Sequence, residues 1–367
     1  MFLSAPYATW KSPITAQLIS GGAVAFGLTA IDGDSIYWLE SRPNQGGRQV
    51  LMRRDAIANI TELTPAPFNI RTRVHEYGGG AYAAKDDMIY FCNFSDQRIY
   101  RQAENQSPTP LTAEGPWRYA DLHIDTLHRQ LICVREDHSQ PSKEAVNELV
   151  SINLSDGKVS VIVSGADFYS SPRLSPDGKQ LAWISWDHPD MPWDTTELWL
   201  VDLSVSGSLT NIRKIADGES ESIAQPEWSP DNILYFVSDK TGWWNIYRYQ
   251  GDEIKAVCEM NAEFAYPHWQ FGMSQYGFNS AKEIICAFNT SGTWQLGRIQ
   301  IESGKLEVIP TALSDLQYLR AASGEVIFHA AGPLQPSAIA TINLSKNEIE
   351  VIQHSINLPF KNDYFSS

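Results

Sequence analysis

Short apolar runs bounded by turn-forming residues recur along the chain: IYWLES from Ile36, IYFCNF from Ile89, LICVRE from Leu131, LAWISW from Leu181, LYFVSD from Leu234, IICAFN from Ile284 and VIFHAA from Val326. Their starts lie 53, 42, 50, 53, 50 and 42 residues apart. Each run is rich in aromatic and β-branched side chains and follows a Gly, Asp, Lys or Gln cluster suited to a hairpin turn, which predicts seven strands of one kind. A second apolar run trails each: VLMRR from Val50, RIYRQ from Arg98, ELVSINL from Glu148, ELWLVDL from Glu197, NIYRY from Asn245, WQLGRI from Trp294 and IATINL from Ile339. Ahead of them lies a strand of small or polar residues, clearest in SSPRLSPDG (170–178), AQPEWSPD (224–231) and YPHWQFG (266–272).

Seven units of about 50 residues, each with room for four strands, predict an all-β fold, a seven-bladed β-propeller of four-stranded antiparallel blades. One such sheet cannot bury both apolar faces alone; stacking blades around an axis covers both and leaves only short edges. A double β-sandwich is the alternative, but it does not require seven nearly equal periods. The propeller is expected over residues 1–355, with 356–367 as a linker.

Composition supports sheets packed through large rings: among 367 residues there are 12 Trp, 15 Tyr and 14 Phe. A formal net charge of -15 argues against a nucleic-acid partner, which needs a concentrated positive surface. The stretch 12–31 carries no charge, yet Pro13, Gly21, Gly22 and Gly27 interrupt it, and neither a membrane span nor a signal segment is expected. Cys92, Cys133, Cys258 and Cys286 lie far apart and match no redox or zinc motif, which points to core thiols in a reducing, cytoplasmic setting. No cofactor is expected, and no metal: His123 and His128 in HIDTLH stand five apart on a strand and turn, where Asp121 and Asp125 serve the turn rather than a ligand set.

Aligning Pro172, Pro226 and Pro267 brings Arg173, Glu227 and His268 to one register, and RYADLHID brings Asp121 there too. Because innermost strands line a propeller's channel, these four form a candidate ring of channel residues. The competing reading makes them salt bridges between neighbouring blades that touch no substrate.

YATWKSPIT (7–15), RPNQGGRQVL (42–51), RTRVHEYGGGAY (71–82), DFYSSPRLSPDGKQLAWISWDHPDMPWDTTELW (167–199), LYFVSDKTGWWNIYR (234–248) and FAYPHWQFGMSQYGF (264–278) closely resemble the N-terminal propeller of prolyl oligopeptidase-like serine peptidases. The likeness is nearest to the dipeptidyl-aminopeptidase and acylaminoacyl-peptidase branch. It implies a following α/β-hydrolase domain with a Ser-Asp-His triad, here missing: GESES at Gly218 and GMSQY at Gly272 both lack the closing Gly of a nucleophile elbow. The expected function is therefore non-catalytic, a propeller that gates and selects short peptides for a hydrolase partner, with no activity in this chain alone. A free-standing propeller that binds protein partners is the alternative.

On that resemblance, RTRVHEYGGGAY supplies Arg73 to clamp a carbonyl or carboxylate and Glu76 to hold a peptide's ammonium end. Its three glycines lack the Lys-Ser/Thr of a phosphate loop and read as a close strand passage or a bulge. The loop WDHPDMPWD (186–194) adds Trp186, His188, Asp190 and Trp193, facing either the hydrolase domain or the substrate route; self-packing is the bland reading.

Overall fold

The computed structural model describes residues 6, 9, 13–204, 207–216, 220–322 and 324–358. Most of the expected linker, from 359 onward, lies outside the described residues. The fold is all-β apart from a five-residue helix, Ala16–Ser20, and a single 3-10 turn. Five sheets are four-stranded and antiparallel, and a sixth has eight strands. The eight-stranded sheet is two antiparallel four-stranded units joined by one parallel pairing, Phe278 with Ala322.

The chain thus forms seven four-stranded units in sequence order, over 25–62, 82–110, 117–164, 168–216, 223–256, 276–309 and 315–354. Each apolar run read from the sequence is the second strand of a unit and each trailing run the third. These second strands are buried on both faces, with Trp38, Phe91, Trp183, Phe236 and Phe328 among the fully buried side chains, because another unit packs on either side. The segment 266–272 departs from expectation. It is a loop, and the inner strand of the sixth unit is Tyr276–Ser280 instead. Pro267 and the polar residues after it start no ladder; Phe271 pairs with Gly79 of the second unit.

Units are laced together at their inner strands. In the third, fourth, fifth and seventh units that strand carries a bulge holding one non-glycine residue at positive φ: Asp121 (54°), Ser171 (54°), Gln225 (45°) and Tyr318 (50°). A bulge re-aims its side chains out of the ladder, and those of Asp121 and Gln225 reach the next unit. Gln225 donates to the carbonyl of Tyr276 (2.8 Å) and accepts from the amide of Gln275 (2.7 Å). Gln275 in turn donates to Leu316 O at 2.9 Å. The last unit meets the first: Thr29 donates to Tyr318 O (2.5 Å), His329 Nε2 lies 2.8 Å from Gly27 O, and Arg54 pairs with Glu350 at 3.0 Å.

The glycines of RTRVHEYGGGAY hold φ of 67°, 95° and 54° at Gly78, Gly79 and Gly80. A Cβ on Gly79 would stand 2.4 Å from Phe271 O, and one on Gly80 2.7 Å from the Asp121 backbone. Only glycine lets three units approach so closely at this point.

Among the described residues no helix is long and apolar enough to cross a membrane, and no cluster of His, Cys, Asp or Glu could hold a metal. Asp125 instead organises the turn, accepting from the amide of His128 (3.0 Å) and from Gln130 (2.9 Å).

Candidate functional site

Two constellations draw together most of the residues singled out above. The first is a chain of charges across the inner strands of units three, four, five and seven. Asp121 accepts from Arg173 Nη1 at 3.1 Å and from the Ser171 amide at 2.6 Å. Arg173 Nε lies 3.6 Å from Glu227, whose Oε1 is 3.1 Å from Arg320 Nη1, and Arg320 ends the chain on the carbonyl of Gly272 at 2.9 Å. Burial works against the charge of Arg173, but Asp121 and Glu227 more than offset it and raise its pKa. For Arg320 burial prevails and lowers it.

The register of this chain differs from that expected. Arg173, Glu227 and Arg320 are equivalent, each facing the second residue of the next strand's apolar run: Ala182, Tyr235 and Ile327. The equivalent residue in the third unit is His123, opposite Ile132, whereas Asp121 sits two residues earlier in the bulge. His268 precedes the inner strand of its unit, where the equivalent position is Gly277, opposite Ile285. Alignment on Pro267 misplaced His268, because that proline lies in a loop ahead of the ladder, and matching RYADLHID to the other strands missed the bulge at Asp121. Arg320, in a unit without that proline, went unseen; counting from the second strand would have found it.

The second constellation is a cavity of about 670 Å³ that takes in Glu76, Trp186, His188, Asp190, Trp193 and His268. Its walls are aromatic. Trp186 stacks on Phe168 (5.3 Å, 16°), Trp193 meets Trp269 at 4.3 Å, and Tyr77 meets Trp269 at 5.4 Å. Its lining holds five carboxylates, Glu76, Glu136, Glu144, Asp167 and Asp190, beside four histidines and several neutral polar groups, and among the described residues no Lys or Arg. Glu76 is held at φ 61° by the glycine-rich turn, is 82% exposed, and pairs with Arg118 at 3.1 Å. Arg118 also reaches Glu136 at 3.5 Å.

The imidazoles divide by environment. His188 is exposed and its pKa is raised by its hydrogen bond with Asp167, 2.9 Å away. His268 stacks on Trp244 (6.2 Å, 10°), and burial pushes it down to about 4. Arg73 belongs to neither constellation; its guanidinium lies 4.5 Å over the ring of Phe94. His75, Phe168 and Phe271 join the cavity without having been chosen from sequence as site residues.

Cavity and charge chain are stacked. Ser171, Gln225 and Gly272 line the cavity, while Arg173 and Glu227, two residues further along their strands, line a separate cavity of about 260 Å³ with His123 and Trp228. The Arg173–Glu227 pair thus walls the smaller cavity, two residues along the strands from residues that line the larger one.

No family model matches the chain. Among curated proteins, dipeptidyl-peptidase 5 of Porphyromonas gingivalis is 29% identical over 124 residues, which is 32% of this chain and 17% of that protein. Among solved structures, a puromycin-hydrolysing peptidase of Mycobacterium tuberculosis superposes with a TM-score of 0.89 at 31% identity, over 97% of this chain and 57% of its own. A puromycin hydrolase mutant complexed with PGG superposes at 0.92 with 29% identity, over 99% of this chain and 58% of its own. Thus the chain spans less than two thirds of the length of each of these relatives.

Proposed function

We propose, from its match in sequence and structure to the prolyl oligopeptidase family of serine peptidases, that this chain is a closed seven-bladed propeller that selects and gates short peptides for a hydrolase partner. The seven laced units, with the last meeting the first, support the closed propeller. On this reading hydrolysis belongs to the α/β-hydrolase partner, which would supply the nucleophile, the base and the oxyanion site. Four free thiols, three of them buried, fit a reducing, cytoplasmic setting.

The observation that carries this reading is the cavity, an aromatic-walled space whose lining includes five carboxylates. Such a site attracts a cation through both ring faces and charge, and an ammonium beside an apolar side chain is what the amino end of a peptide presents. Glu76 is the carboxylate assigned to it. The ion pairs of the charge chain serve as the gate, holding the axial route shut between Arg173, Glu227 and Arg320.

Glu76→Gln tests the assignment. Arg118 keeps Glu136 as partner, so the fold is expected to persist. Because Glu76 is mostly solvated, removing its charge weakens binding of a free-amine dipeptide amide by at most about fivefold. Binding of the N-acetylated dipeptide stays unchanged. An equal loss for both ligands in calorimetric titration defeats the reading.

A further inference from the structure

His75 sits at φ 51° with its amide donating to Glu136 Oε1 at 2.7 Å, which points its ring into the aromatic wall. Phe168 (5.1 Å), Trp186 (5.5 Å) and Phe271 (4.8 Å) enclose it. Its Nε2 lies 3.3 Å from Asn147 Oδ1. The Asn147 amide is fixed the other way round by its Nδ2, which donates to the Asp167 carbonyl at 2.8 Å; turned over, oxygen would face oxygen. Since Oδ1 can only accept, Nε2 carries the proton. Burial lowers the pKa of the ring, which keeps it neutral near pH 7. One proton, placed at Nε2, leaves a bare lone pair on Nδ1. Among the described residues nothing donates to Nδ1, and His75 lines the cavity.

We propose that Nδ1 of His75 accepts a hydrogen bond from an N–H of the cavity's occupant, making His75 a specificity-determining residue for the amino end of a peptide whose first side chain is large and apolar. The inference rests on the reading of the cavity as a peptide site and adds a second, charge-independent criterion to it. A fixed acceptor in a water-poor wall discriminates against a ligand with no donor, because the acceptor then stays unpaired. Phe168, Trp186 and Phe271 supply the apolar surface, and Asn147 acts as a positioning residue by setting the tautomer.

Three probes separate N–H from charge: L-phenylalaninamide, N-acetyl-L-phenylalaninamide, and N-acetyl-N-methyl-L-phenylalanine dimethylamide, which has no N–H. In nitrogen-15 spectra of the histidine-labelled chain, His75 is expected as the Nε2–H tautomer. Both N–H probes move its Nδ1 resonance; the acetylated one binds about fivefold more tightly than the third, and the charged one more tightly still through Glu76. Asn147→Ala lets the ring sample both tautomers, and with the two equally populated the preference of each N–H probe over the third falls by about half. If the charged and acetylated probes bind equally while both move Nδ1, the Glu76 assignment falls and this one stands. If bound probes leave Nδ1 unmoved, or the free ring carries its proton on Nδ1, this one falls and the Glu76 assignment is untouched. Failure of all three probes to bind overturns both.

Discussion

Replacing Asp121 by Asn removes one charge and converts one of two acceptor oxygens into a donor. Oδ1 takes the Arg173 guanidinium at 3.1 Å and Oδ2 the Ser171 amide at 2.6 Å. An asparagine satisfies one of these and sets its NH2 group against the other. The side chain is 4% exposed and that of Arg173 13%, so little water can substitute. Removing one partner of a buried pair costs about 3–5 kcal/mol. Arg173 keeps Glu227 at 3.6 Å and its own Pro172 carbonyl at 2.9 Å, which places the loss at the lower end, about 3 kcal/mol. Arg173→Met removes the same interaction from the other side, so the double variant falls short of the sum by about 2 kcal/mol. Urea unfolding midpoints at constant slope measure all three. A loss below about 1 kcal/mol for Asp121→Asn, or strict additivity in the double variant, refutes the account of the charge chain as structural.

Two further outcomes follow from the packing. Burial pushes His329 down to about 4 from an ordinary value of about 6.5. Between those values the unfolded chain binds a proton that the folded chain refuses, so stability is full above about pH 6.5 and falls toward pH 4, by up to about 3 kcal/mol from this group. His123 and His268 are pushed down as far, so His329→Gln, which can still donate to Gly27 O, flattens part of the slope; an unchanged slope in urea unfolding across that range counts against it. Gly79→Ala puts a Cβ 2.4 Å from Phe271 O at φ 95° and is expected to cost more than about 2 kcal/mol. A loss within about 0.5 kcal/mol means the second unit and the 266–272 loop are not pressed together as described.

The seven units were legible because a buried second strand has little freedom: packed on both faces, LAWISW or LYFVSD is apolar over at least four consecutive residues, and that signal survives any change in the loops. Inner strands were harder to read. They carry charges such as Arg173 and Glu227 and are interrupted by bulges, so no single period describes them. YPHWQFG misled for a physical reason. It has the Pro and the bulky ring of an inner strand, but its backbone binds the glycine turn of the second unit, and Trp269, 49% exposed, serves the cavity. The cavity itself gathers residues from 75–77, 136–147, 165–171, 186–193 and 268–273. The loop 186–194 and Glu76 could be singled out because their polar and aromatic residues stand together in the sequence. His75 did not, since the tautomer that gives it a role is set by Asn147, far away in sequence.

The charge chain and the cavity are one mechanical unit, and this bears on how substitutions in them must be read. Ser171 lines the cavity and is held by Asp121. Gly272 lines it too, and its carbonyl is the last acceptor of the chain, bound by Arg320. Gln225, also in the lining, stands two residues before Glu227 on the same strand. Loosening Asp121 or Arg320 therefore lets the cavity floor move, and weaker binding in such variants does not mean that these residues touch a ligand. Glu76 differs, being at the rim with an Arg118 that has a second carboxylate to turn to. Contact can thus be told from support by a simple pairing of measurements. A residue that reads the ligand changes affinity at constant unfolding midpoint, whereas a residue that holds the floor changes both together.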